Sequence, residues 1–165
     1  MDKNEYLIAR VGHIKLGVYC RDVENVYSQH LKVVKLFYQD NIFRGITNIN
    51  GQVMQVLDLR TRIGLEQRQQ GEHLTLISFN TGSANCVAVI VDEIIGMHRV
   101  AAECTQKNDS FYEARARNIG LLFPTTAMIS LSKNKEELQL IHLLDSTYLE
   151  NEDPITDDAG ELELF

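Results

Sequence analysis

The clearest local signal of structure lies in residues 43–60, which read FRGITNINGQVMQVLDLR. Asn50 and Gly51 separate two runs that are typical of β-strands, residues 44–49 and residues 52–58. Both turn residues tolerate a positive φ, which a two-residue hairpin loop requires at its central positions. The stretch therefore predicts an antiparallel β-hairpin.

Strand-like runs continue on both sides of this hairpin. Apolar residues alternate with others along residues 14–19, and short apolar runs follow at residues 75–79, 86–91, 128–131 and 138–143. Such runs, separated by turn residues, are typical of an antiparallel sheet, sandwich or barrel. Only three segments fit short helices, at residues 22–27, 58–64 and 145–149. The pattern predicts an all-β protein with a few short helices.

The length and composition fit two small units that share one core. The chain has 165 residues, of which 44% are apolar and 24% are charged, as in ordinary globular proteins. Residues 66–72 form a polar linker without an apolar side chain, and about five strands are predicted on each side of it. We expect two five-stranded barrels packed side by side, roughly residues 1–70 and 71–149, intertwined at their ends.

The net charge of −7 is confined to the end of the sequence. Residues 150–165 hold seven acidic residues and no Lys or Arg, which leaves 16 acidic and 16 basic residues in the rest. A neutral body argues against nonspecific nucleic-acid binding, which needs a basic face. The acidic segment is predicted to be a flexible, solvated tail, and its apolar end at Leu164 and Phe165 leaves a docking role open.

The motifs of an enzyme are missing from the sequence. Cys20, Cys86 and Cys104 are too few and too widely spaced for a disulfide framework and predict reduced thiols in a cytosolic protein. The five histidines lack the spacing of metal ligands, and no phosphate loop or nucleophile motif is present. No apolar run is long enough to span a membrane. We expect no enzymatic activity, no metal and no cofactor.

The hairpin stretch resembles the signature of CheW-like domains, in which a Gly-aliphatic-x-Asn hairpin precedes an Asp-Leu-Arg sequence. Here these elements are Gly45 to Asn48 and Asp58 to Arg60. Weaker matches to the same family follow its order and spacing, so that the resemblance covers residues 6–149. They are residues 22–26, the Val-Asp strand end within residues 87–96, and the closing Leu143-Leu144-Asp145.

The resemblance implies that residues 1–149 form a CheW-like domain of two packed Src-homology-type barrels. It implies a non-enzymatic cytoplasmic adaptor that couples the tip of a methyl-accepting chemoreceptor to a CheA-type histidine kinase, in chemotaxis or pilus motility. No nucleic-acid binding or membrane insertion is expected. Two alternatives stay open: a diverged scaffold for a different regulator, or a small β-barrel that binds nucleic acid or peptides through the aromatic and basic residues of 111–117.

The resemblance also implies a receptor groove lined by apolar residues, although ordinary core packing fits each of them individually. Polar partner contacts are expected at Asn25, Arg44, Asn50 and Arg60, and for Arg60 an ion pair within the domain is the stronger alternative. Asn25, Asn50 and Gln55 stand where the family has Glu, Arg and Pro, which predicts a partner that differs from the standard ones. The groove residues are Leu7, Cys20, Val23, Val26 and Ile94.

Overall fold

The computed structural model describes residues 5–35, 43–60, 64–66, 73–80, 86–107, 125–129 and 138–144. These residues form eleven strands and two single-turn 3-10 helices, at Cys20–Asp22 and Ala102–Cys104. The strands are β1 (Glu5–Val11), β2 (Ile14–Tyr19), β3 (Val23–His30), β4 (Phe43–Ile49), β5 (Gln52–Leu57), β6 (His73–Phe79), β7 (Cys86–Val91), β8 (Glu93–Arg99), β9 (Thr105–Lys107), β10 (Thr125–Ile129) and β11 (Gln139–Leu144).

The strands are arranged in two sheets, which confirms the predicted all-β architecture. The first sheet has the order β8-β1-β2-β11-β10-β9, and the second has the order β3-β6-β7-β5-β4. A bridge between Val34 and Ile46 joins the chain after β3 to β4 and so connects the two ends of the second sheet. The first sheet has six strands where five were expected, because the short β9 follows β8 after a 3-10 turn.

The chain passes from one sheet to the other at positions that the sequence did not indicate. Residues 23–91 contribute all the strands of the second sheet, whereas β1 and β2 join the later strands in the first. The predicted boundary near residue 70 therefore does not separate the sheets, since it lies between β5 and β6 of the same sheet. The crossings occur at a 3-10 turn and at the single residue Asp92, which are too short to alter the local composition.

The hairpin predicted at Asn50-Gly51 is present. Ile49 pairs with Gln52, and the turn residues have φ values of 53° and 85°. The side-chain oxygen of Asn48 accepts a hydrogen bond of 2.8 Å from the Gly51 N–H, which fixes the loop. The helix predicted over residues 22–27 is wrong, because Val23 already begins strand β3 and pairs with β6. The short helix predicted at 145–149 and the tail at 150–165 lie outside the described residues.

Gly45 shows why the hairpin stretch needs glycine at its start. Its φ is 140°, which side chains rarely adopt, and an added Cβ would collide with the carbonyl group of Val34. The register of β4 against β5 shifts at the same place, between Phe43 and Gly45. The glycine therefore permits both the bulge and the close backbone contact that connects β4 with the chain after β3.

Strand β7 is apolar on both faces because it serves two cores. Val87, Val89 and Val91 face the core between the sheets, whereas Ala88 and Ile90 face a second core that the second sheet encloses. The sequence of a strand that is covered on both faces is a continuous run of apolar residues, and residues 86–91 form such a run. A third core, with Ile8 and Ile141, lies on the other side of the first sheet.

Both sheets contribute to the core between them, here called the inter-sheet core. The candidate site lies at the edge of this core, where the side chains are partly buried. Its buried members are Leu7, Ala9, Val11, Leu16, Val18, Phe43, Leu57, Leu59, Ile77, Phe79, Val87, Val89, Val91 and Leu144.

Candidate functional site

Four of the five predicted groove residues meet at the inter-sheet core. Leu7 is a buried member of this core, and Cys20, Val23 and Ile94 are partly buried side chains packed against it. They come from separate elements: β1, the 3-10 turn after β2, the start of β3, and β8. The fold thus places side chains that are distant in the sequence along one apolar seam.

Val26, the fifth predicted residue, shares the face of Val23 because of a β-bulge. In a regular strand these two residues would point to opposite faces, since they are three positions apart. The register of β3 against β6 shifts between Val23 and Asn25, so that Val23 pairs with Phe79 and Val26 pairs with Ile77. Val26 is 43% exposed and extends the apolar seam outward.

A bulge in β8 produces the same arrangement from the first sheet. Ile94 pairs with Ala9 and Met97 pairs with Leu7, with a register shift between these pairs. Because directly opposed residues lie on one face, Ile94 and Met97 both lie on the side of Leu7. Met97 is 65% exposed. We define the groove as Leu7, Cys20, Val23, Val26, Ile94 and Met97.

The sequence interpretation missed Met97, although a signal for it was available. An apolar side chain stands between Gly96 and His98, in the polar end of β8. Its spacing from Ile94 equals the spacing of Val26 from Val23, and both pairs follow an acidic residue. The repeated spacing could have identified Met97 as the counterpart of Val26.

The thiol of Cys20 behaves as an apolar group in this setting. Burial raises its pKa above the ordinary value of 9.0, and the carboxylate of Glu5 adds to the shift. Both effects disfavour the thiolate. Cys20 therefore lines the groove as a neutral, weakly polar side chain.

Arg60 lies in an ion-pair network inside the chain. Its Nη1 donates to Asp92 Oδ2 at 3.2 Å, and its Nε donates to the carbonyl oxygen of Glu66 at 3.3 Å. The same carboxylate oxygen accepts a hydrogen bond of 2.6 Å from the Gly12 N–H and lies 3.7 Å from Arg10 Nη1. These contacts favour the interpretation of Arg60 as a structural residue.

The network connects the two sheets at the point where the chain passes between them. Gly12 belongs to the β1–β2 turn of the first sheet, and Arg60 follows β5 of the second. Asp92 separates β7 from β8, and its side chain is 15% exposed. We call Arg10, Gly12, Arg60, Asp92 and Glu93 the Asp92 network, since Glu93 pairs with Arg10 at 3.0 Å.

The other predicted polar contacts are not assembled into one patch. Asn50 is exposed at the tip of the β4–β5 hairpin and supplies its left-handed backbone. Arg44 is partly buried on β4 and makes contacts within the chain. Asn25 lies at the bulge of β3, where its N–H donates to Ser78 Oγ at 3.1 Å and its side chain is exposed.

The His, Cys, Asp and Glu side chains of the described residues are dispersed. No group of three or more His, Cys, Asp or Glu side chains in them is placed to hold a metal ion. Cys20, Cys86 and Cys104 are free thiols. The described helices include none that is long and apolar enough to cross a membrane.

Comparisons with known proteins agree with the fold. The family model of the CheW-like domain matches residues 5–123. Fifteen chains of solved structures match, among them the scaffolding protein TtCheW from Thermoanaerobacter tengcongensis. That structure has a TM-score of 0.64 and 16% sequence identity, and the match covers 88% of this chain and 90% of that one. At this identity it supports the fold alone. No curated protein sequence matches the chain.

Proposed function

Because this chain belongs to the family of CheW-like domains, we propose that it is a non-enzymatic adaptor of bacterial signalling. It couples the cytoplasmic tip of a methyl-accepting chemoreceptor to a CheA-type histidine kinase in chemotaxis or pilus motility, and it acts in the cytoplasm at receptor arrays. The observation that carries this proposal is the groove, in which both sheets present apolar side chains to solvent along one seam.

The position of the groove supports binding of a helix. β3 and β8, which carry Val23, Val26, Ile94 and Met97, are each the first strand in the order of their sheet. Val23 and Ile94 both pack against the inter-sheet core, in which Leu7 is buried. An amphipathic helix buries its apolar face in a channel of this kind, and a receptor tip is a helical structure of this type.

The surroundings of the groove fit a protein interface with an apolar centre and a polar rim. Arg21 is largely exposed beside Asp22, and its guanidinium lies 4.3 Å from the centre of the Tyr19 ring. Arg99 is exposed beside Glu5, with 3.6 Å between their charged groups. The rim thus carries charges of both signs, which suits orientation of a partner more than affinity.

Substitution within the groove tests the proposal. We expect Val23→Glu and Ile94→Glu each to weaken binding of a purified receptor-tip fragment by tenfold or more, because each buries a carboxylate against apolar side chains. Binding is measured by calorimetry, and circular dichroism confirms the fold. Val53→Glu is the matched control, since Val53 is exposed on β5 outside the groove. Unchanged binding by both groove variants would contradict the groove assignment.

A diverged scaffold for a different regulator is the second candidate. Asn25, Asn50 and Gln55 replace residues that the family carries as Glu, Arg and Pro, and all three side chains are exposed. Capture of partners from a lysate of the source bacterium, with the Ile94→Glu variant as the control, separates the candidates. Recovery of a regulator without receptor or kinase favours this second function. The nucleic-acid alternative depends on residues 111–117, outside the described residues, and oligonucleotide binding that weakens steeply with salt would support it.

A further inference from the structure

Two histidines that are distant in the sequence face each other at the end of the β3–β6 pair. His30 and His73 are directly opposed in the antiparallel register, and both side chains are exposed. Their ring centres are 5.3 Å apart, and the ring planes meet at 89°. Neither residue belongs to the groove or to the Asp92 network. The sequence predicted no metal site because these histidines have no ligand spacing along the chain.

The separation of the two rings suits a shared metal ion. Two imidazoles that bind one ion at about 2.1 Å, with roughly tetrahedral or square geometry, have ring centres about 5 Å apart. The observed 5.3 Å is close to that value. Because opposed residues on an antiparallel pair are held by the strands, little backbone ordering is required when the ion binds.

Ser28 contacts His73 at the kind of position where metal-binding histidines usually donate their second N–H. Its hydroxyl and His73 Nε2 share a hydrogen bond of 2.9 Å, and Thr75 Oγ1 lies 3.2 Å from the same hydroxyl. When the His73 Nε2–H donates to Ser28, the lone pair of the ring is on Nδ1. An outer partner of this kind fixes the tautomer and the ring orientation of a ligand.

We propose that His30 and His73 form a bis-imidazole site for a divalent first-row transition ion of the Zn²⁺ or Cu²⁺ class. The two nitrogens supply half of a four-coordinate shell, and water completes it at the exposed strand surface. Sites of nitrogen ligands bind Cu²⁺ more tightly than Zn²⁺ in general. The ion would tie the end of β3 to β6 and stabilise the folded chain by mass action.

Calorimetric titration of the tag-free full chain with CuSO₄ and with ZnCl₂ at pH 7.5 tests the proposal. We expect binding of one ion of each metal, tighter for Cu²⁺, and a rise in the melting temperature with added Zn²⁺. His30→Asn and His73→Asn should each weaken binding by tenfold or more. Ser28→Ala should weaken it by a smaller factor, because the hydroxyl only orients His73.

Two matched controls make the result decisive. His98→Asn changes a histidine on β8 in the other sheet, and His13→Asn changes an exposed histidine in the β1–β2 turn. Both should retain the affinity of the parent chain. The proposal is overturned if the parent binds neither ion, or if His30→Asn and His73→Asn bind as tightly as these controls. Circular dichroism of every variant confirms that the strands are intact.

Discussion

The two ends of strand β1 differ in how the sheets meet there. Near its start, Leu7 is the buried member of the groove, whose Val26 and Met97 side chains are exposed. At its other end, Arg10 and the following turn join the Asp92 network, whose charged groups pair with one another. The inter-sheet seam is held at its polar end by contacts within the chain. We propose that a partner covers its apolar end.

The largest expected effect follows from removing the centre of the polar end. Asp92→Ala leaves Arg60 and the Gly12 N–H without a shared acceptor in a partly buried setting, and we expect a loss of about 2 kcal/mol in the free energy of unfolding. Urea denaturation measures this loss. Glu93→Gln, which alters an exposed ion pair, should cost less than about 0.5 kcal/mol. Equal stability of Asp92→Ala and the parent would show that the network does not hold the sheets together.

A smaller effect is expected at the open end. Met97→Glu should weaken binding of a receptor-tip fragment by roughly fivefold, about 1 kcal/mol, with no change in stability, because Met97 is exposed in the free chain. Calorimetry measures the affinity, and thermal melting measures the stability. Val34→Glu is a suitable control, since Val34 is an exposed apolar residue of the second sheet outside the groove. If both variants lose affinity equally, Met97 has no special place in the groove.

The smallest effect concerns pH and lies away from both ends. His142 on β11 is half-buried, and desolvation lowers its pKa below the ordinary value of 6.5. The unfolded state then binds more protons than the folded state between the two pKa values, so stability falls as the pH drops below 6.5. Below the folded pKa this contribution levels off. Melting temperatures from pH 7.5 to 5.0 should decline less steeply for His142→Gln than for the parent chain. Identical pH profiles of the variant and the parent would mean that titratable groups other than His142 cause the decline in melting temperature.

The sequence predicted best what depends on neighbouring residues. The Asn50-Gly51 hairpin was found because the turn requires two residues that accept positive φ, and no distant contact is needed to specify it. The points where the chain passes between the sheets were missed because they depend on pairing between distant strands. The polar linker at 66–72 indicated a boundary, yet it connects two strands of one sheet.

The predictions for the candidate site also differ according to whether they depend on neighbouring or on distant residues. The resemblance supplied the groove residues, but alternation alone would place Val23 and Val26 on opposite faces of β3. The bulges in β3 and β8 reverse this expectation. Gly96, with a φ of 151°, marks the bulge in β8, whereas no glycine marks the one in β3. The opposed histidines were missed because composition does not show strand register, whereas the spacing of Met97 from Ile94 was a signal that could have been used. The prediction that Arg60 forms an ion pair within the domain is confirmed, although the sequence did not identify Asp92 as its partner.

We propose that the apolar end of the seam binds a partner while the polar end holds the sheets together. Chemical-shift mapping of the isotope-labelled chain with a receptor-tip fragment tests it most directly. The groove interpretation predicts large shifts at the amides of Cys20, Val23, Val26, Ile94 and Met97, and small ones at Gly12 and Asp92. Shifts concentrated at the Asp92 network or on the hairpin at Asn50, with the groove unaffected, would contradict it.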